Sequence, residues 1–333
     1  MTVWVALFFV IAAIATWLAR AYALQRNLLD HPGERRSHGT ATPRGGGISI
    51  VLVLVIAALA LAMRDPSHAL LWVGFVAGLL VVAGIGWWDD HRPLPAGLRL
   101  GFHAVAATML AVVVLITHGD AWLAIATFFA AVILTNVWNF MDGINGLAAS
   151  QAALVAAGFA AVMFGSTWGW LGWALVAACL GFLPFNFPRA RVFLGDVGSS
   201  ALGFAIAALL VTAVAEETIT WPLAVVPISA FMVDAGLTLG RRVLRGERWW
   251  TAHAQHAYQR WARGAGSHVP VTLGYAAWTG AGLVIVLGLP RGGFFLTFAV
   301  VLAWYTFGAF LWWRLQYGVA GNGQGNQREW GKG

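Results

Sequence analysis

The sequence predicts an all-α fold, a polytopic membrane helical bundle of about eleven spans, and three observations carry that prediction. Hydrophobic residues make up 60% of the 333 and charged residues only 10%, with a mean hydropathy of +0.75, whereas soluble chains carry about a quarter charged residues. The apolar residues gather into runs that approach or reach the roughly 17 to 25 residues needed to cross a hydrocarbon layer. The basic residues fall on alternate connections, as a chain with one insertion topology requires.

Taken in order, the runs are Val3–Leu24, Ile48–Met63, Ala69–Trp87, Leu100–Thr117, Ala121–Val137, Leu147–Phe164, Trp168–Phe185, Ser199–Ala215, Trp221–Leu239, Val269–Leu289 and Phe294–Trp313. The first has no basic residue before it and Arg20 and Arg26 after it. It therefore reads as an uncleaved helix with its N-terminus outside rather than as a signal peptide. With that orientation carried through, the connections expected outside hold only Arg64 and Arg291 of the twenty Lys and Arg. The net charge of +7 then describes a cytoplasmic face beside anionic membrane lipids and needs no nucleic-acid partner. The single cysteine, Cys179, lies within an apolar run and leaves no disulfide framework. The longest polar segments, 25–47 and 240–268, are too short for a soluble domain. Residues 1–317 read as a single integral-membrane domain, and 318–333, rich in Gly, Asn and Gln, as a disordered tail.

The polar exceptions at the ends of these runs are the informative residues, since polar side chains at a span's end need a partner, an aqueous cavity or a substrate. In NVWNFMDGINGLAA, Asn136, Asn139 and Asp142 recur every third residue and would share one helical face, while Gly143 and Gly146 permit a bend. A turn between two helices is the plainer alternative. In WWDDHRPL, the adjacent Asp89 and Asp90 repel each other unless a cation or proton relieves them; a cap for the fourth span is the alternative. In PFNFPRARVFLGDVGSSALGF, Asn186, Phe193 and Asp196 stand among small residues. That setting suits a hard cation with water and phosphate-oxygen ligands, or a simple cap by Asp196 for the eighth helix.

In the first polar loop, Arg35, Arg36 and Arg44 are either phosphate ligands or ordinary interfacial charge. Asp234 reads as the partner of Arg241 and Arg242. His253 and His256, three apart, would share a helical face, and no Glu stands between them to make a zinc-peptidase motif. Trp249, Trp250 and Trp261 suit a headgroup layer. All four clusters (Asp89/Asp90, 136–145, 186–196 and His253/His256) fall on connections expected at the cytoplasmic face. One active site there, with carboxylates for a divalent cation and basic groups for phosphates, points to phosphoryl transfer.

The strings NLLDHPGERRSHGTATPRGGG, DDHRPL, NVWNFMDGINGL, NFPRARVFLGDVGSSALG and RRVLRGERWWTAHAQHAYQR resemble the successive cytoplasmic motifs of the polyprenyl-phosphate N-acetylhexosamine-1-phosphate transferases, the superfamily of MraY and WecA. The nearest likeness is to WbpL-type enzymes that initiate bacterial O-antigen units. The resemblance implies that undecaprenyl phosphate attacks the β-phosphate of a UDP-N-acetylhexosamine of GlcNAc, FucNAc or QuiNAc type. UMP leaves, and a lipid-linked sugar pyrophosphate remains to begin a surface polysaccharide. It further implies Mg2+ or Mn2+, a bacterial inner-membrane location, and a homodimer among the assemblies open to the chain.

By the same resemblance, Asp196 binds the metal, Asp89 orients or deprotonates the lipid phosphate, and Asp90 serves the metal and phosphate site beside it. Asp142 and Asn186 lie near the uracil, on which Phe193 stacks; His253 and His256 face the diphosphate, Asn139 positions these groups and Arg44 holds phosphate. Two departures stand out. Asn145 occupies a position where many relatives have Asp, and HAQH replaces the triple histidine of MraY, which argues against a muramoyl-pentapeptide substrate. Two rival classes remain. An intramembrane aspartyl protease would pair the FLGD acid Asp196 with Asp234, and a transporter would place its ionisable residues at mid-bilayer.

Overall fold

The computed structural model describes residues 1–31, 40–248, 251, 253–289 and 293–317. Arg35, Arg36, Trp249, Trp250, Arg291 and the 318–333 tail lie outside the described residues.

Each apolar run is helical, because a backbone without water must satisfy its own polar groups. In chain order the helices are α1 (Thr2–Gln25), α2 (Ile48–Arg64), α3 (Ala69–His91), α4 (Ala96–His118), α5 (Ala121–Phe140), α6 (Leu147–Val162), α7 (Thr167–Asn186), α8 (Gly195–Ala215), α9 (Trp221–Ala224), α10 (Ser229–Leu244), α11 (Ala257–Ala265), α12 (Val269–Gly288) and α13 (Phe294–Tyr317). A two-residue antiparallel pair, β1 (Leu29–Asp30) with β2 (Thr42–Pro43), closes the first polar loop. Among the described residues eight helices are long and apolar enough to cross a membrane, and α2 and α6 are shorter apolar helices. The chain is therefore an all-α, multi-pass membrane protein.

The expected ninth span is instead two pieces, α9 and α10. Pro227 lies in the break between them; a proline lacks an N–H and disfavours the helical region for the residue before it. Other ends carry local caps: the Asp120 carboxylate accepts from Trp122 N and Leu123 N at the start of α5, and the Ser166 hydroxyl accepts from Trp168 N at the start of α7.

The bundle is organised around α8. Of its apolar stretch 89% is buried, against 17% for α1 and α13, so α8 is surrounded by protein while those two face the surroundings. It packs on α3, α5 and α6. Small residues permit that approach: a Cβ on Gly203 would collide with the Leu134 and Thr135 backbone, and one on Gly86 with the backbone of Asp196 and Val197. Connections segregate as the alternating topology requires. At one end Thr167 Oγ1 donates to Asp65 (3.2 Å) and Ser166 Oγ to Glu216 (2.8 Å). At the other, the 42–47 loop, the end of α3, the start of α8 and the turn after α5 come together.

Candidate active site

The glycine triplet of the first loop builds one wall of that polar end. Gly46 N donates to Phe193 O (2.9 Å), Gly47 N to Leu194 O (2.8 Å) and Phe193 N to Pro43 O (2.7 Å), so the loop runs strand-like beside the entry to α8. A side chain on Gly47 would strike Gly198 Cα, and only glycine allows the two backbones to lie so close. This contact brings Arg44 to the first turn of α8.

The adjacent acids at the end of α3 diverge. Asp90 is buried (3% exposed) and accepts from Asp196 N (3.1 Å) and Val197 N (3.2 Å). It thus caps α8 from a different helix, offering a carboxylate to the orphan amides and positive dipole of a helix N-terminus. Asp89 accepts from Leu94 N (2.6 Å) and pairs with Arg99 Nη1 (3.0 Å), whose same nitrogen lies 2.5 Å from Asp196 Oδ2. The alternative in which Asp196 caps its own helix is therefore corrected. Asp90 does the capping, and Asp196 is left to face Arg99 and the cavity.

The every-third-residue face of 136, 139 and 142 is also corrected, because α5 ends at Phe140. Asn136 Nδ2 donates to Val132 O (2.8 Å), Asn139 Nδ2 to Ser199 Oγ (3.1 Å), and Asp142 alone enters the polar cavity. That cavity, about 270 Å³, is lined by Arg44, Asp90, Asp142, Asn186, Phe193, Asp196, Gln259 and His268 among others. Burial, and then the charges of Asp196 and Asp90, hold the Asp142 carboxyl well above its ordinary value.

Asn186 (5% exposed) accepts from Gly146 N (2.7 Å) and donates to Val192 O (3.0 Å). It clamps the turn after α5 to the loop before α8. Asn186→Asp deletes the donor and sets a carboxylate against Val192 O, so stability should fall by about 1–3 kcal/mol, read as a lower Tm in detergent. An unchanged Tm would show that the clamp is dispensable. Asn145 is a second clamp, its Nδ2 donating to Pro188 O (3.1 Å) and its backbone N meeting His268 Nδ1 (3.3 Å). A carboxylate at 145 could not make the first of these bonds.

Of the two histidines read from the sequence, His256 is buried, its Nδ1 3.5 Å from Asp234 Oδ1; His253 lies 4.9 Å from it, ring to ring. Neither is among the residues that line the acidic cavity, whereas Gln259 and His268 are. Asp234 does not serve Arg241 or Arg242 as expected. It accepts from Ala257 N (2.8 Å), Tyr258 N (3.0 Å) and Tyr275 OH (2.7 Å), fastening α11 to α10 and α12. Trp261 likewise turns inward, against Gly274 and Tyr275. Sequence reasoning missed Arg99 and His268. Arg99 looked like ordinary interfacial charge, and its signal was its place in the first turn of the helix that follows the two acids.

Carboxylate oxygens and the Arg44 guanidinium line one cavity at the end of an apolar bundle, with Arg99 paired to two of the acids beside it, an arrangement that suits a membrane-embedded enzyme. The chain matches the sequence profile of Glycosyl transferase family 4 over residues 72–214, a span that contains Asp89, Asp90, Asp142 and Asp196. Among its relatives are the decaprenyl-phosphate N-acetylglucosaminephosphotransferase of Mycobacterium leprae, 29% identical over 320 residues (81% of this chain, 79% of that protein), and the phospho-N-acetylmuramoyl-pentapeptide-transferase of Desulforudis audaxviator, 33% identical over 232 residues (58% and 68%). A third is the undecaprenyl-phosphate alpha-N-acetylglucosaminyl 1-phosphate transferase of Thermotoga maritima, 31% identical over 198 residues (58% and 60%). The chain belongs to this family of polyprenyl-phosphate N-acetylhexosamine-1-phosphate transferases of MraY and WecA type, and it is a phosphotransferase.

Proposed function

We propose that the protein transfers a sugar-1-phosphate from a UDP-N-acetylhexosamine, of GlcNAc, FucNAc or QuiNAc type, to undecaprenyl phosphate at the cytoplasmic face of a bacterial inner membrane. UMP is released, and the lipid-linked sugar pyrophosphate begins an O-antigen or another surface polysaccharide. The observation that carries this reading is the set Asp90, Asp142, Asp196 and Arg44 around one cavity, with Asp89 joined to it through Arg99. Phosphoryl transfer between two anions is governed by positioning and charge neutralisation; this set offers positioning through Arg44 and oxygen donors for a cation that would neutralise charge.

The donor set fits Mg2+. Among the described residues no three His, Cys, Asp or Glu side chains form a ready metal cage, but Mg2+ binds through one or two carboxylates and completes its shell with waters and substrate phosphates. Asp196 is the ligand we assign, with Asp142 and Asp90 near enough that their charges raise one another's cost. When bound, the ion supplies charge neutralisation between donor and acceptor phosphates. Asp89 orients the acceptor phosphate, Arg99 holds Asp89 and Asp196 at a fixed separation, and Phe193, with Asn186 fixing its loop, offers a face to the base. His253 and His256 act on the diphosphate through the placement of α11, which carries Gln259 to the cavity. Asn139 braces α8 through Ser199.

The pH dependence has a definite sign. Because Asp142 is held above its unfolded value, the metal-free fold gains stability as pH falls and loses it as pH rises through the raised value. A cation held beside Asp142 would favour its ionised form, so the rise in Tm on adding Mg2+ or Mn2+ should grow as pH rises through that raised value. A metal-induced shift independent of pH would remove Asp142 from the metal's surroundings. The reaction itself is tested by radiolabel transfer from a panel of UDP-sugars to undecaprenyl phosphate in purified detergent-solubilised protein, with and without Mg2+. Metal-dependent lipid labelling with UMP release is expected, and the productive donor names the sugar. Folded protein that labels no lipid from any donor would overturn the reading.

A further inference from the structure

The turn that carries Asp142 begins where α5 ends, at Phe140, and the last carbonyls of a helix find no partner within it. Phe140 O is met from outside, by Tyr258 OH on α11, which donates to it at 3.1 Å. The same hydroxyl lies against Gly143, where an added Cβ would collide with it. Its contacts therefore fall on both sides of Asp142. Tyr258 is buried (1% exposed); burial, and then the charges of Asp234 and Asp142, hold its phenol well above the ordinary value, so the group stays a protonated donor. The far side of the turn is held separately, Gly146 N donating to Asn186 Oδ1 (2.7 Å) and Thr272 Oγ1 to Asn145 O (2.9 Å).

Tyr258 is itself fixed by an acid that the transfer does not use. The helix α11 has 9 residues, too few to be stable alone. Its first two amides, Ala257 N and Tyr258 N, donate to Asp234 on α10 (2.8 and 3.0 Å), which also accepts from Tyr275 OH (2.7 Å) and is 2% exposed. A line of hydrogen bonds thus runs from the Asp234 carboxylate through the Tyr258 backbone to its hydroxyl and the end of α5. The turn needs such a hold. Gly143 and Gly146 give its backbone freedom, and the charges of Asp196 and Asp90 disfavour an ionised Asp142 beside them, so an untethered turn would swing that side chain out toward water.

We propose that Tyr258 is a positioning residue for the transfer: its hydroxyl, placed by Asp234 through α11, keeps Asp142 directed into the acidic cavity. It acts through the backbone of Phe140 and Gly143 and is not itself among the residues that line the cavity. This rests on the transfer reaction proposed above and adds to it a hold on the site from α10 and α11, which lie beyond the 72–214 stretch that matches the family profile.

The test compares Tyr258→Phe, which deletes the hydroxyl alone, with Tyr305→Phe, which deletes a bond of the same kind away from the site, Tyr305 OH to Val225 O (2.7 Å). Both full-length variants are assayed in detergent for lipid labelling, for Tm, and for hydrogen exchange of the 140–146 segment by mass spectrometry. Tyr258→Phe should lower kcat/KM for the nucleotide sugar about tenfold or more, since a small misplacement of a reacting group is costly. It should leave the KM for lipid phosphate unchanged, because Asp89, Arg99 and Arg44 are not touched, and it should speed exchange in 140–146. Tyr305→Phe should lose a similar amount of Tm and keep transfer. Gly143→Ala, which presses a methyl on the hydroxyl, is the second variant; it should lower transfer by itself, and adding it to Tyr258→Phe should cost less than the product of the two effects. Wild-type transfer or exchange in Tyr258→Phe, equal losses of transfer in the two phenylalanine variants, or a full product in the double variant would overturn the positioning role while leaving the reaction standing. Folded wild-type protein that labels no lipid would overturn both.

Discussion

Asp196→Asn should lower sugar-phosphate transfer about 10³-fold or more, since it removes the charge on which metal and phosphate positioning depend, while leaving the protein inserted and folded. The side chain faces Arg99 Nη1 at 2.5 Å with 27% of its surface exposed and Arg99 29% exposed; ion pairs so placed contribute about 1 kcal/mol or less. Arg99 keeps Asp89 at 3.0 Å, and the cap on α8 comes from Asp90, which the substitution does not touch. Activity should therefore collapse with little change in Tm, and the metal-induced rise in Tm should disappear with it. Full activity in the variant would contradict the metal role.

Gly195→Ala should be strongly damaging for a single methyl group. Gly195 has φ +76°, where a Cβ costs about 1–2 kcal/mol. That Cβ would lie 2.5 Å from Asp90 Oδ2 and 2.8 Å from Gly45 N; the second contact is with backbone, so relief requires moving the 42–47 loop, and overpacking of this kind costs about 1–3 kcal/mol. Together these approach the lower end of native stability, about 5 kcal/mol. A large fall in Tm is expected, with transfer reduced in whatever remains folded because Asp90 is pushed off the α8 amides. Gly84→Ala on α3 is the control, since a Cβ there meets nothing within 4 Å. Equal Tm values for the two variants would refute the argument.

Much of the site was legible because polar residues at the ends of apolar runs are costly and so stand out. Asp90, Asp142, Asn186, Phe193, Asp196 and Arg44, all picked from the sequence, do line one cavity. The pairings were not legible. Sequence spacing shows which residues share a helical face only while the helix lasts, and α5 stops before Asp142. His256 and Asp234 each looked functional or locally paired, yet they meet each other. Arg99 was indistinguishable from the interfacial charge of any membrane protein until its guanidinium was seen between two carboxylates.

The sequence by itself determined the all-α class, the set of apolar runs and which connections share an end of the bundle, because these follow from hydropathy and backbone satisfaction, which act locally along the chain. Only the tertiary structure decided that Asp90 caps α8 across 106 residues of chain and that Asp196 is thereby left to the cavity. It also decided that Arg44 reaches the acidic cavity beside the start of α8. Those outcomes depend on how closely glycine-bearing backbones approach at the contacts of the 42–47 loop, α3 and α8, and a contact between distant segments leaves no periodic mark on either of them.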